Sequence, residues 1–414
     1  MRSTLIAIVC VCIVLSGCNA NADTVSAIEI SSPTPFQPGQ ENASDSLYAG
    51  AAPTPLSLPT VTLPTSVPTE TPIIPTESAP PTPTVPPVIN PLTGLPQADP
   101  SLLERRPMAI KVANYPRYVR PQSGLTLADQ VFEYYIEGGL TRFIAVFYGN
   151  NSEWVGPVRS GRFFDEHIAR MYQSFLVFKF ADKRVLEYFA TTDIAQFLVV
   201  PTIGSCPPYR LMSTRNIEAY NNNYFNTILW GECVTKNGLP NDKPYLRGNF
   251  NDEVPPLSNL EGVRVFTYYS DYSYNYWEYI PESREYVRYQ EKSDTHDGKE
   301  EAYVPLQDNV TGLHVHASNV VVLFAYHEFA NPYQEDDEVY HIDMTGTGEA
   351  YVFRDGIGYA AKWHRLTKDQ PLMLTTTYGV PIPLRPGITF YEVIGTNSYA
   401  SQGNGEWFFH HTTP

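Results

Sequence analysis

VFEYYIEGGLTRFIAVF, from Val131 to Phe147, decides the fold class of this chain. Two runs rich in aromatic and β-branched residues flank Gly138-Gly139, and such runs favour strands. A Gly-Gly pair adopts the positive φ angles of a two-residue hairpin turn, so the stretch predicts two antiparallel strands joined there. That turn sets Glu137 opposite Leu140 and Tyr135 opposite Arg142. Glu133, Glu137 and Arg142 then share one face, with Arg142 diagonal to both carboxylates. Phe132, Tyr134, Ile136, Phe143, Ala145 and Phe147 form the core face.

Upstream, Pro107 to Ala113 (PMAIKVA) predicts an opening strand, and Thr126 is expected to cap a short helical turn leading to Asp129. Downstream, Gly156 to Arg162 (GPVRSGR) precedes Phe164, Ile168, Met171 and Phe175 at helical spacing, with Ser160 as the expected N-cap and Asp165 near the positive helix end. FLVFKF, DKRVLEYFATT and FLVVP then alternate strand, helix and strand, an α/β layer pattern. Beyond residue 255 the signals turn to β, as in VRVFTYYS, YNYWEYI, REYVRYQ, NVVVLFAYH, EVYHIDM and IGYAAKWHRL. The expected class is α+β, with an α/β domain over 89–255 carrying the Gly-Gly hairpin and a mainly antiparallel β domain over 256–414.

The N-terminal stretch has a different character. Arg2, an apolar run from Leu5 to Leu15, and Leu15-Ser16-Gly17-Cys18 form an export signal ending in a lipobox. The apolar run is shorter than the roughly 20 residues of a spanning helix. The pattern predicts a signal peptide over 1–17, cleavage before Cys18, lipidation of that cysteine and a lipidated N-terminus over 18–30. The chain is then extracytoplasmic and held to a bacterial membrane by its lipid. Residues 31–88 are rich in Pro, Thr and Ser and predict a disordered stalk, which at about 3.1 Å per residue could reach roughly 150 Å when fully extended. Cys206 and Cys233 remain as an expected disulfide in an oxidising compartment, worth about 3 kcal/mol in the chain-entropy account.

A formal charge of -16 argues against a nucleic-acid partner, which needs clustered Lys and Arg. Glu133 and Glu137 suggest glycosidase carboxylates, but four residues along a strand span roughly 13 Å, beyond the roughly 5.5 to 9.5 Å such pairs need. An ion cluster with Arg142 is the simpler expectation. Arg159 and Arg162, flanking Ser160 at a helix start, are the best ligand-binding candidates, because guanidinium forks and free N–H groups capture carboxylate or phosphate. Arg142, Glu133 and Glu137 complete the expected ligand-binding set. Tyr272, Tyr274, Tyr276, Trp277 and Tyr279 could stack on sugars or simply pack. His314, His316, His341 and Asp343 have a spacing that arises easily by chance, so no metal or cofactor is expected.

NPLTGLP at Asn90–Pro96, RPQSGLTLADQVFEYYIEGGLTRFIAVF at Arg120–Phe147 and GPVRSGR resemble the YerB-like lipoproteins, bacterial envelope proteins whose domain has no assigned function. The resemblance continues through NVVVLFAY, GTGEAYVFRDG, Trp363 and PIPLRPGITFYEVI. It implies an extracytoplasmic lipoprotein with a two-part YerB-like fold and carries over no catalytic residue. The expected role is binding or scaffolding in the envelope, with peptidoglycan, another anionic wall component or a protein as partner. The alternative is a glycosidase-like hydrolase using carboxylates.

Overall fold

Strands that are apolar on both faces must be covered on both faces, and every residue of the two strands within the quoted stretch is buried. The computed structural model describes residues 86–201, 208–331 and 337–414. From the first half come β1 (Met108–Ala113), β2 (Gln130–Tyr135), β3 (Thr141–Phe147), β4 (Phe175–Val177) and β5 (Leu198–Val199), with α1 (Asp165–Met171), α2 (Lys183–Thr191) and α3 (Thr227–Asn237). Next come β6 (Arg264–Ser270), β7 (Ser273–Ile280), β8 (Glu285–Glu291), β9 (Asn319–Phe329), β10 (Tyr340–Asp343) and β11 (Gly346–Arg354). The last are β12 (Ile357–Arg365), β13 (Met373–Thr376), β14 (Thr389–Gly395), β15 (Tyr399–Gly403) and β16 (Glu406–His410).

The fold is mixed α/β and rich in strands. A twelve-stranded sheet runs β13-β12-β11-β9-β14-β2-β3-β1-β4-β5, with β10 beside β9 and Leu260–Glu261 beside β12. A seven-stranded, mostly antiparallel sheet runs Tyr303–Pro305, β8, β7, β6, β16 and β15, with His316–Ala317 beside β8. The two expected domains share the larger sheet, because β2 lies parallel to β14, with Gln130 to Tyr134 against Thr389 to Val393. Local periodicity identifies a strand but not its neighbour, so this pairing carries no signal in the sequence.

β2 and β3 are antiparallel, yet the expected two-residue Gly138-Gly139 turn is not formed. Tyr134 pairs with Arg142 and Tyr135 with Thr141. Ile136 N donates to Leu140 O at 2.8 Å, leaving Glu137, Gly138 and Gly139 in the loop. Tertiary hydrogen bonds from Ser270 Oγ to Gly139 O and from Gly138 N to Glu338 hold this wider loop. The extra loop residue moves the register by one and turns the faces over. Arg142 therefore shares the face of Tyr134, while Glu133 lies opposite Phe143. Thr126 differs as well: it sits inside the turn Leu125–Leu127, which follows Gly124 at φ +89°.

Three ionisable side chains meet where the sheets pack together. Glu133 on β2 and Glu392 on β14 are register partners, and Arg288 of β8 reaches both. Arg288 Nη2 lies 2.5 Å from Glu133 Oε2 and Nη1 2.8 Å from Glu392 Oε1, all three side chains being sealed from solvent. The remaining lone pairs are used. Asn114 Nδ2 and Thr141 Oγ1 donate to Glu133 at 3.0 and 2.6 Å, and Trp277 Nε1 and Tyr269 OH donate to Glu392 at 2.8 and 3.0 Å. Phe143, Trp277 and Phe390 surround the guanidinium. On the opposite face of the same strands Phe132 stacks on Tyr391 at 4.2 Å.

Burial pushes the Glu133 carboxyl up to about 8, against the pull of Arg288 and with Glu392 adding to the rise. A carboxyl raised on folding stabilises the fold fully below its ordinary value near 4.5 and loses that contribution as pH rises through about 8. The stability of the wild type relative to Glu133→Gln is therefore expected to fall between those values in urea titrations. Arg288→Ala leaves two buried carboxylates without their cation and should cost about 3–5 kcal/mol, read from the same unfolding curves.

Candidate functional site

GPVRSGR links β3 to α1 along the ends of β1 and β4. Ala113 N donates to Pro157 O at 2.8 Å, Lys179 N to Arg159 O at 2.9 Å and Gly161 N to Phe180 O at 2.9 Å. Gly156, at φ +145°, approaches so closely that a Cβ there would lie 2.7 Å from Val158 N. Ser160 does not cap the helix. α1 begins at Asp165, and Asp165 Oδ2 accepts from Arg162 N at 2.8 Å, so the acid within the first turn satisfies the donor that the serine was expected to serve.

The three arginines of the expected set differ in what opposes them. Arg162 grips Glu137 with two nitrogens, Nε at 2.7 Å from Oε2 and Nη2 on Oε1. Arg142 donates to Ser160 O at 2.9 Å and lies 3.9 Å from Glu137 Oε1. Glu137 is thus spent on internal pairs, as Glu133 is, and neither carboxylate is free to act on a substrate. Beneath them Lys111 Nζ contacts Asp165 Oδ1 at 2.8 Å, with the Tyr134 hydroxyl bonded to the same oxygen. Burial brings Lys111 down to about 7 despite Asp165. A lysine within the apolar run MAIKVA was the sequence signal for this buried pair.

Arg159 is different. Among the described residues it has no carboxylate partner: Nη1 donates to Asn221 Oδ1, and the guanidinium lies over the Tyr220 ring at 4.8 Å. Lys179 Nζ approaches the same ring at 4.9 Å, donates to Tyr220 O at 3.2 Å and also has no ion pair. Burial, then the neighbouring Arg142, depress Arg159 below the usual arginine value. Tyr118, Phe180 and Tyr220 are each about half exposed around these cations. Asn221 Nδ2 donates to the Tyr118 hydroxyl at 2.8 Å and so ties the tyrosine to the arginine. Tyr220 escaped the sequence reading because loop 216–221 has no periodicity to place it, and Lys179 because nothing within FLVFKF tells which segment it meets.

The other candidates lie elsewhere. Cys18 and Cys206 are outside the described residues, and Cys233 is buried on α3. Tyr276 is stacked between Phe266 at 5.0 Å and Tyr289 at 4.6 Å, so its ring faces are taken by cross-strand neighbours rather than open to a sugar. Tyr274 and Trp277 are buried. His314 Nε2 is bonded to Arg288 O, and His316 Nδ1 to His314 O. Among the described residues no group of three His, Cys, Asp or Glu side chains is placed to hold a metal.

Residues 92–237 match the N-terminal domain, and residues 264–391 the C-terminal domain, of a family described as protein of unknown function (DUF3048). The chain is similar to a Bacillus subtilis (strain 168) protein named "Putative lipoprotein YerB", with 27% identity over 326 residues, 76% of this chain and 89% of the relative. Its fold is similar to the crystal structure of the YerB protein from Bacillus subtilis, with a TM-score of 0.61 at 23% identity, covering 74% of this chain and 96% of that one.

The two kinds of cation should separate on mutation. Asp165→Ala strands the buried Lys111 and is expected to cost about 3–5 kcal/mol. Arg159→Ala breaks no ion pair and should stay within about 1 kcal/mol; urea unfolding of both variants checks the contrast.

Proposed function

The chain belongs to the YerB-like DUF3048 family, and from that premise we propose a lipid-anchored, extracytoplasmic binding protein of the cell envelope. The Arg159, Lys179 and Tyr220 surface receives a carboxylate- or phosphate-bearing wall component. The observation that carries this reading is the pair of cations at the Tyr220 ring, neither of which has an ion pair among the described residues, while the nearby Glu218 is held by Tyr118 and Asn221. A cation left without an internal counterion and partly exposed is available to an external anion, and a guanidinium binds such a group with two parallel hydrogen bonds. Arg142 and Arg162 stand behind, adding positive potential while held by Ser160 O and Glu137.

Cys18 is the lipid attachment site and residues 31–88 the stalk that carries the folded part away from the headgroups. The lipobox and the relative's printed name support this address. The division into 89–255 and 256–414 belongs to the same reading, each matched family region falling inside one part. A Cys206–Cys233 disulfide suits the oxidising compartment. Cys18→Ser is expected to move the protein from the membrane to the soluble fraction, and denatured mature protein should then titrate no free thiol.

The binding reading is tested by sedimenting the mature protein with purified peptidoglycan carrying its anionic polymers. Wild type should co-sediment in a salt-sensitive manner, and Arg159→Ala should weaken binding about tenfold or more, the loss of one charge-assisted contact. Undiminished binding by Arg159→Ala would remove the site. Soluble glycan fragments in the supernatant, identified by mass spectrometry, would make the protein a hydrolase instead.

A further inference from the structure

The C-terminal end of β9 and the short β10 form a two-stranded ribbon in which Tyr326 opposes Asp343 and Glu328 opposes His341. Alternation puts Tyr326, Glu328, His341 and Asp343 on one face, while His327, Tyr340 and Ile342 turn inward and are buried. The polar face does not simply meet solvent. Phe163, Glu166 and His167 at the start of α1, together with Tyr188 of α2, face it across a cavity of about 400 Å³, with Thr345 and Lys368 at the rim. That volume lies within the range of small-ligand sites.

The hydrogen-bonding character of the walls can be worked out group by group. His167 Nδ1 lies 2.8 Å from Arg365 Nη1. A guanidinium only donates, so Nδ1 accepts, the ring is neutral and its proton is on Nε2. Glu166 is pinned, Oε1 by Arg170 Nε at 2.7 Å and Oε2 by the Tyr188 hydroxyl at 2.5 Å. Asp343 Oδ1 accepts from Thr345 N at 2.8 Å. Among the described residues Glu328, Asp343 and Lys368 have no ion pair. The ring of His341 stacks on Phe163 at 4.0 Å, and Tyr188 meets Phe163 edge-on at 5.3 Å.

We propose that this cavity between α1, α2 and the β9–β10 ribbon is a saccharide-binding site, with Glu328, Asp343 and His167 bonding ring hydroxyls and the half-buried His341 and Tyr188 rings, backed by the buried Phe163, meeting the apolar ring face. The selection follows from the mixture of groups. The fixed donor on His167 and the mobile ammonium of Lys368 accompany acceptors on Glu328 and Asp343, a mixture that suits hydroxyls that donate and accept at once. An alkylammonium has only protons to offer and leaves the Nε2–H of His167 without an acceptor, and a phosphate is repelled by the carboxylates. The site stands apart from Arg159, and its success or failure is separate from that of the anion-binding surface.

Saturation-transfer NMR of the mature protein with the N-acetylglucosamine tetramer and with cellotetraose, each at millimolar concentration, tests the assignment. Transfer to sugar C–H protons is expected with at least one of them, and Glu328→Gln and His341→Ala should each weaken the interaction about tenfold. Glu328 is exposed, so its variant keeps the fold, and matched melting curves establish this for both. No transfer to either sugar, or transfer unchanged in both variants, overturns the proposal. Binding of cadaverine in their place, lost in Glu328→Gln, overturns it in favour of a cation site.

Discussion

Arg288 holds Glu133 and Glu392 between the two sheets, and the rest of the architecture is arranged around this buried triad. Sealing an arginine and two carboxyls away from water is costly, which is why Glu133 is pushed toward its neutral form, and such a cluster contributes less to net stability than its short distances suggest. Its effect is on uniqueness. The face of β2 and β14 that carries the two carboxylates is backed by the Phe132–Tyr391 stack on the other side. A one-residue slip of either strand would drive a carboxylate into that aromatic layer and an aromatic ring against the guanidinium. The triad therefore rejects neighbouring registers more strongly than apolar packing alone could, and it joins strands from opposite ends of the folded chain.

The register of β2 against β3 then determines which charges remain at the surface. Because the loop contains Glu137, Gly138 and Gly139, Arg142 lies on the side of GPVRSGR rather than beside Glu133. It takes Ser160 O, Arg162 takes Glu137, and the positive charge left uncompensated is that of Arg159 and Lys179. The acidic residues most suggestive of hydrolysis are consumed by structure. Two cations and three aromatic rings face outward here, with Glu218 bonded to Tyr118 beside them, in a chain that is strongly acidic overall.

Much of this was legible beforehand, and the failures have particular causes. The strands of the hairpin, the opening strand at Pro107–Ala113 and the strand-helix-strand run through DKRVLEYFATT all appear near their expected positions. Ser160 as a cap failed because Asp165, five residues on, satisfies the turn's donor. The hairpin faces failed because Ser270 and Glu338, far along the chain, bond the glycine loop and widen it. Arg159 could be singled out as a candidate from its neighbours alone. Lys179 and Tyr220, which make its surroundings, were not, since they arrive from separate segments.

The sequence by itself determined the strand content, the Pro/Thr/Ser composition of residues 31–88 and the lipobox around Cys18, because each depends on side chains within a few positions of one another. Tertiary structure alone decided the β2–β14 pairing, the sealing of Glu133 under Arg288, the lack of an ion pair at Arg159 among the described residues and the cavity between α1, α2 and the β9–β10 ribbon. These depend on which distant segments desolvate one another. For charged groups the energy of that desolvation exceeds any local preference, so it cannot be anticipated from periodicity or spacing.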